Sequence, residues 1–141
     1  MTDLINFQIK AIETLAFSIN QFDGEIPEEV QVGYNYELEH NINIDQRITA
    51  VICSLRIFDL VSDKNYGQLK VACIYEIENL EKLLSSDKER VMLPEGFNVT
   101  LNSITLSTVR GIAYVRFQGT YLQNAILPII DPKSFVLSDP Q

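Results

Sequence analysis

Apolar and polar residues alternate with a period of two along residues 5–19 of the chain. Such alternation is typical of a β strand with one buried face. Ile12, Glu13 and Ala16 fall on the wrong faces of this pattern. These interruptions predict a bend or bulge near residues 12–14. The residues that share the apolar face are Ile5, Phe7, Ile9, Ala11, Leu15, Phe17 and Ile19.

Residues 20–29 separate this strand from the next and predict a loop that contains Gly24 and Pro27. The loop is longer than a hairpin turn, which favours a crossover connection over a direct return. The clearest alternation in the chain follows over residues 30–39, and the polar run over residues 40–46 then predicts a turn.

Residues 47–60 differ because apolar side chains occupy both alternating faces. This pattern is typical of a central strand that is covered on both sides. Turn-forming residues occupy positions 62–67. A fourth strand with renewed alternation is predicted over residues 69–77.

The pattern changes to helical spacing in the second half of the chain. Asn79 is a suitable N-cap for a short helix. Residues 96–118 carry two apolar stripes, which favours a long helix that is buried on more than one side and ends near Gly119. Asp131 before Pro132 predicts a short final helix. Apolar residues of the two short helices are Leu80, Leu83 and Leu84, then Phe135 and Val136.

The composition fits one folded domain over residues 1–141, since 46% of the residues are apolar and 21% are charged. A net charge of −8 disfavours binding to nucleic acids or to anionic membrane surfaces. Cys53 and Cys73 are too few for a disulfide framework. No signal-like segment or membrane-length apolar run is present, so we expect a cytoplasmic protein without membrane insertion.

The side chains that catalysis requires are sparse. His40 is the only histidine, and it lies in a polar segment without a partner motif. The chain lacks the ligand spacing of a zinc site and the glycine-rich loop of a phosphate site. We therefore expect that the protein is not an enzyme and that it holds no cofactor or metal.

The predicted elements instead carry more apolar surface than they can bury among themselves. One long helix covers only one face of a four-stranded sheet, whereas residues 47–60 are apolar on both faces. Isolated monomers seldom expose large apolar patches. We expect another subunit to cover part of this surface and a ligand or client to use another part. The alternative is an unusually thick monomeric core.

Several short motifs, in this order of elements, resemble the SecB export-chaperone family over roughly residues 5–136. The first strand opens with Phe7-Gln8-Ile9-Lys10, has Ser18 near its end and leads into the crossover loop. An apolar-Pro pair, Leu93-Pro94, precedes the long helix, and Arg110-Gly111 lies late in it. Residues 126–132, together with Phe135, resemble the family's Pro-containing segment before its last helix.

The resemblance implies an α+β fold: a four-stranded antiparallel sheet with a crossover loop, one long helix and a short C-terminal helix. It implies a homotetramer, built as a dimer of dimers, with the long helices between two sheets. It also implies an ATP-independent holdase that binds unfolded polypeptides or preproteins in long apolar grooves. Acidic charge would favour clients rich in basic residues.

The resemblance does not extend to all of the family's export features. Members of the export branch carry acidic residues late in the first strand, which dock the translocation motor, whereas this chain has Ala16 and Asn20 near those positions. Binding of that motor is therefore doubtful. SecB-like proteins also include chaperones that protect an unstable antitoxin, so the client is either a preprotein or a dedicated partner of that kind.

We predict client contacts in the strand–crossover region and in the segment before the last helix. The predicted residues are Phe17, Phe22, Ile26, Tyr34, Ile126, Leu127 and Ile129. Two other hypotheses remain open. In one, the protein is a non-enzymatic oligomeric assembly protein whose apolar surface is all subunit interface. In the other, it has a small-ligand pocket near Tyr34, Tyr36 and Tyr75.

Overall fold

The first four strands form one antiparallel sheet with the order β1-β4-β3-β2. The computed structural model describes residues 5–83, 85–87 and 90–135. Because β1 and β2 lie at opposite edges, the segment between them crosses over the end of the sheet, as predicted. The strands are β1 (Phe7–Ile19), β2 (Val32–Asn43), β3 (Ile48–Asp59) and β4 (Asn65–Ile77).

Helices and a small hairpin follow the sheet: α1 (Leu80–Leu83), β5 (Ser85–Asp87), β6 (Arg90–Met92), α2 (Glu95–Phe117) and a 3-10 helix (Pro132–Phe135). The long helix and the final short helix confirm the sequence prediction, and the carboxylate of Asp131 accepts a hydrogen bond from the backbone N–H of Lys133 (2.9 Å). Leu84 and Val136 lie outside the described residues.

The sequence missed the β5–β6 hairpin and overstated the role of Asn79. The helix after Asn79 has a single turn, and the side-chain oxygen of Asn79 accepts no hydrogen bond although it is buried. The carbonyl oxygen of Asn79, rather than its side chain, accepts from the backbone of Lys82 (3.1 Å). The chain therefore turns into a hairpin after one helical turn.

Two irregularities in β1 explain why its alternation is imperfect. The register with β4 shifts between Ile9 and Ala11 and again between Thr14 and Ala16. Each shift inserts one residue, so Ile12 pairs with Cys73 on the inner face. The predicted bulge near residues 12–14 is thus two bulges that flank this region.

The core lies between the inner face of the sheet and α2. The alternate residues of β3 and β4 that face α2 are almost fully buried, and both cysteines lie among them as free thiols. Burial raises the pKa of the Cys53 thiol to about 12, so this thiol stays protonated. The largest of these buried side chains are Tyr75, Ile57, Leu69, Ile77, Val51 and Val71.

Residues 47–60 include the central strand β3, and within the described part of the chain only the inner face of this strand is fully covered. The inner-face residues Val51, Cys53 and Ile57 are fully buried, whereas Ile52 and its outer-face neighbours are only partly buried. A single helix packs on one face of the sheet, which leaves apolar side chains on the other face in partial contact with water.

The long helix is likewise buried on one side only. Its sheet-facing side is buried along its length, from Phe97 to Phe117. Tyr114 and Val115 point away from the sheet and are 52% and 68% exposed. The stripe formed by Leu106, Val109, Ala113 and Phe117 is buried, whereas Val115 of the other stripe faces outward, because no described element of this chain covers it.

A polar contact joins the edge strand β2 to α2. The ring Nε2 of His40 donates to the side-chain oxygen of Asn102 (2.6 Å), which is 1% exposed. Burial lowers the pKa of His40, and hydrogen bonding to Asn102 and Asn98 only partly opposes this effect. The only histidine of the chain is thus a neutral packing residue at neutral pH.

We expect mild acidification to destabilise the fold through His40. The unfolded chain takes up a proton near pH 6.5, whereas the folded chain binds it only at lower pH, so stability falls as the pH drops. Urea unfolding between about pH 7.5 and 5.5 should show this loss in the wild type and a smaller one in His40→Gln. Equal pH dependence in the two proteins would contradict the assignment.

Candidate functional site

Three aromatic rings fasten the crossover segment to the rest of the molecule. Phe22 of the crossover stacks on Tyr66 of β4, with ring centroids 5.8 Å apart. Tyr121, which follows α2, meets Phe22 edge-on at 5.1 Å and Tyr66 at 5.5 Å. This aromatic cluster of Phe22, Tyr66 and Tyr121 therefore joins three segments that are far apart in the sequence.

Hydrogen bonds reinforce the aromatic cluster. The hydroxyl of Tyr121 donates toward the carbonyl of Asn20 (2.6 Å) and lies 3.2 Å from the carbonyl of Tyr66. The backbone N–H of Asn20 donates to the same Tyr66 carbonyl (2.7 Å). Burial raises the pKa of Tyr121, so its hydroxyl remains a donor. The start of the crossover is thus held to both β4 and the segment after α2.

The segment after α2 turns apolar side chains in opposite directions. The helix ends at Phe117, and Gly119 adopts the left-handed conformation (φ 80°) that turns the chain away, as predicted. Leu122 and Leu127 are buried in the core. Ile126, between them, is 64% exposed. The buried leucines therefore hold a segment that presents an isoleucine to solvent.

An open groove lies between this segment and the crossover. It has a volume of about 600 Å³ and is formed by residues 26–32 on one side and 120–125 on the other. Ile26 at its rim is 57% exposed. We call this the crossover groove. Its lining combines apolar side chains with polar ones, and the members are Ile26, Pro27, Glu28, Glu29, Val30, Val32, Thr120, Tyr121, Leu122, Gln123, Asn124 and Ala125.

The crossover gives the groove an acidic rim. Glu25, Glu28 and Glu29 are exposed and form no ion pair with the described residues. Asp23, the fourth carboxylate of the crossover, pairs with Lys64 of the β3–β4 hairpin. The field at the rim is therefore negative, and it attracts positively charged groups.

The structure brings several predicted contact residues together at this end of the molecule. The hydroxyl of Tyr34, whose pKa is raised by burial, donates to the carbonyl of Ile126 (3.4 Å). This bond holds the segment after α2 against β2. Ile26 lines the groove, and Ile129 is 89% exposed beyond it.

Three of the predicted contact residues pack against other side chains of the protein instead of facing solvent. Phe22 belongs to the aromatic cluster and is half-buried. Leu127 is 3% exposed. Phe17 packs near Phe117, with ring centroids 6.5 Å apart, and the Arg116 guanidinium lies over its ring. These side chains support the walls of the site, whereas Ile26, Ile126 and Ile129 face solvent.

Sequence reasoning missed the residues that build the groove. Tyr66 and Tyr121 carried no local signal, because their role depends on contacts between distant segments. Val30 and Val32 were assigned to a strand face, and they also line the groove.

Two of the tyrosines near the predicted small-ligand pocket, Tyr75 and Tyr34, are engaged in contacts within the protein. Tyr75 is fully buried, and its hydroxyl lies 2.7 Å from that of Thr105 and donates to the carbonyl of Leu101 (3.3 Å). Tyr34 is engaged with Ile126. Tyr75 is therefore a satisfied core residue that docks α2 on the sheet.

Two further properties bear on the type of site. Within residues 5–83, 85–87 and 90–135, no group of three or more His, Cys, Asp or Glu side chains is arranged to hold a metal ion. Among the same residues, no helix is long and apolar enough to cross a membrane.

The antiparallel sheet, crossover and long helix define a SecB-like α+β fold. A similar solved structure is the SecB-like chaperone Rv1957 of Mycobacterium tuberculosis, in complex with a ChAD peptide from the Rv1956 HigA1 antitoxin. It has a TM-score of 0.62 and 14% identity, over 88% of this chain and 87% of that one. The likeness confirms the predicted fold.

A weaker structural match is a protein of unknown function from Streptococcus agalactiae, with a TM-score of 0.47 and 9% identity over 91% of this chain and 98% of that one. No protein-family model and no curated protein matches the chain.

We expect Tyr121→Phe to lower the free energy of unfolding by about 1 kcal/mol, because the hydroxyl that bonds to the crossover backbone is lost. Urea unfolding provides the measurement. Tyr114→Phe is the matched control, since Tyr114 is 52% exposed on α2, and it should change stability little. Equal effects of the two substitutions would show that the Tyr121 hydroxyl does not fasten the crossover.

Proposed function

We propose that this protein is a non-enzymatic, ATP-independent holdase chaperone that binds extended, unfolded polypeptide segments. The observation that carries the proposal is the open crossover groove, which solvent-facing Ile26 lines, together with solvent-facing Ile126, which directly follows the lining residue Ala125 in the sequence. Binding of an unfolded chain requires accessible apolar contacts rather than a reactive group. A rigid wall that already presents these side chains reduces the ordering that binding requires.

The charge of the groove supports a particular class of client. The unpaired rim carboxylates Glu25, Glu28 and Glu29 favour segments in which apolar residues are accompanied by Lys or Arg. They disfavour acidic segments by like-charge repulsion. The solvent-facing isoleucines supply the apolar part of the contact, and the carboxylates raise the rate of encounter with basic chains.

We favour a dedicated polypeptide client, such as an antitoxin, over a role in protein export. Near the positions where export chaperones carry acidic residues, Ala16 pairs with Lys70 in the sheet and the Asn20 side chain donates to the carbonyl of Asn65 (2.9 Å). Neither position offers a carboxylate to a translocation motor. The similar structure Rv1957 holds a peptide segment of an antitoxin, which supports the same kind of client here.

We also propose that the chain, as one domain, works as a homo-oligomer. The outward side of α2 combines the exposed Val115 with small residues, including Ser107 and Gly111, that permit close approach of another helix. The exposed apolar side chains Ile9 and Ile12 on the edge strand β1 add to the surface that a second copy would cover.

The proposal predicts that the protein suppresses aggregation of a chemically denatured test protein at a near-stoichiometric ratio. Ile26→Ser and Ile126→Ser should each weaken client binding about five-fold, because part of an isoleucine side chain no longer leaves water on binding. Ile44→Ser is the matched control, since Ile44 is 40% exposed in the turn at the other end of the sheet.

Light scattering on each variant separates loss of client binding from loss of assembly. Unchanged aggregation at several-fold excess of the wild type would contradict a general holdase. A tight oligomer that binds neither a hydrophobic dye nor a peptide would instead favour the assembly-protein hypothesis.

A further inference from the structure

The hairpin between β3 and β4 presents two apolar side chains, which directly precede the predicted turn residues 62–67. Leu60 is 59% exposed, and Val61 is 86% exposed. Hairpin turns are usually built from Gly, Asn, Asp, Ser and Pro, because these residues suit tight turns and contact with water. The pair Leu60-Val61, which we call the hairpin tip, contributes little to the core.

The hairpin tip is held in a defined conformation. The Asp59 carboxylate accepts hydrogen bonds from the backbone N–H of Val61 (3.1 Å) and the hydroxyl of Ser62 (2.8 Å). The backbone N–H of Asp63 donates to the Asp59 carbonyl (2.9 Å), and Arg56 forms an ion pair with Asp63 (3.2 Å). An apolar contact on such a fixed turn loses little conformational freedom when it is buried.

The ionisation of Asp59 is consistent with this fixed turn. The hydrogen bonds from Ser62 and Val61 lower the pKa of Asp59. The carboxylate therefore remains charged, and the turn remains formed, at neutral pH.

The hairpin is also attached to the crossover. The backbone N–H of Leu60 donates to the carbonyl of Gln31 (3.4 Å), between two residues that line the crossover groove. Lys64 pairs with Asp23. A side chain on Gly33 would have its Cβ only 2.5 Å from the Phe58 ring and 3.0 Å from Leu60, so the hairpin packs directly on the start of β2. The hairpin tip thus lies beside the groove, around the end of β2.

The charge around the hairpin tip indicates which kind of partner binds there. The crossover and the hairpin together carry six carboxylates but only one amine, that of Lys64, which is already paired. This acidic face repels an anionic lipid surface, and it repels the same acidic face of a second copy of the chain. The carboxylates are Asp23, Glu25, Glu28, Glu29, Asp59 and Asp63.

We propose that the hairpin tip is a second contact site for a client chain whose neighbouring segment occupies the crossover groove. This inference rests on the proposed holdase function. The occupant is an extended polypeptide that places an apolar residue, flanked by Lys or Arg, against Leu60 and Val61. The two sites together select clients with two apolar clusters instead of one, because a segment held in the groove raises the effective concentration of the next segment at the tip.

Two fluorescent synthetic peptides test this inference. The short peptide carries one apolar cluster flanked by lysines, and the long peptide carries two such clusters joined by a Gly-Ser spacer. Val61→Ser should weaken binding of the long peptide about five-fold and leave the short peptide unchanged. The substitution keeps the backbone donor to Asp59, and Ile44→Ser serves as the control at the other end of the sheet.

The outcomes separate this inference from the proposed function. If Ile126→Ser weakens both peptides but Val61→Ser weakens neither, the crossover groove binds clients and the tip does not. If the wild-type protein binds neither peptide, the holdase proposal itself fails. A change in solution mass caused by Val61→Ser would identify the tip as a subunit contact and overturn the assignment to clients.

Discussion

The contact among Phe22, Tyr66 and Tyr121 is the constraint on which the candidate site depends. It joins the crossover, the start of β4 and the segment after α2, three parts that no strand pairing holds together. The Tyr121 hydroxyl adds a bond to the crossover backbone. The cluster therefore holds the crossover wall of the groove against the wall that follows α2, whose own position is also fixed by buried Leu122 and Leu127.

A single helix covers only one face of the four-stranded sheet, so part of the apolar surface stays exposed. The described elements bury the inner face of the central strands β3 and β4, but they leave the edge strands, the outer side of α2 and the outer face of the sheet partly exposed. Apolar surface of this kind favours association, whereas the net charge of −8 opposes uncontrolled self-association. The molecule therefore combines exposed apolar side chains with a repulsive acidic surface, which suits a protein that binds unfolded chains.

The strands and the long helix were predictable, because local periodicity determines them. The positions of the bulges in β1 were harder to predict, since the register depends on pairing with β4. The short β5–β6 hairpin was missed because three-residue strands have no periodic signal. Ile26 could be identified as an apolar residue in a polar loop, and Ile126 was predicted from the segment before the last helix that resembles the SecB family. The role of Tyr121 could not be predicted from the sequence, because its partners Asn20 and Tyr66 are distant along the chain.

Hydrogen exchange of the intact protein, with and without a permanently unfolded client chain, tests whether the crossover groove binds the client. We expect slower exchange of backbone amides in residues 26–32 and 120–125 when the client is added, because both walls of the groove become covered. Amides in the turn at residues 44–47 should exchange at the same rate in both samples. Client binding without protection of either groove wall would contradict the account.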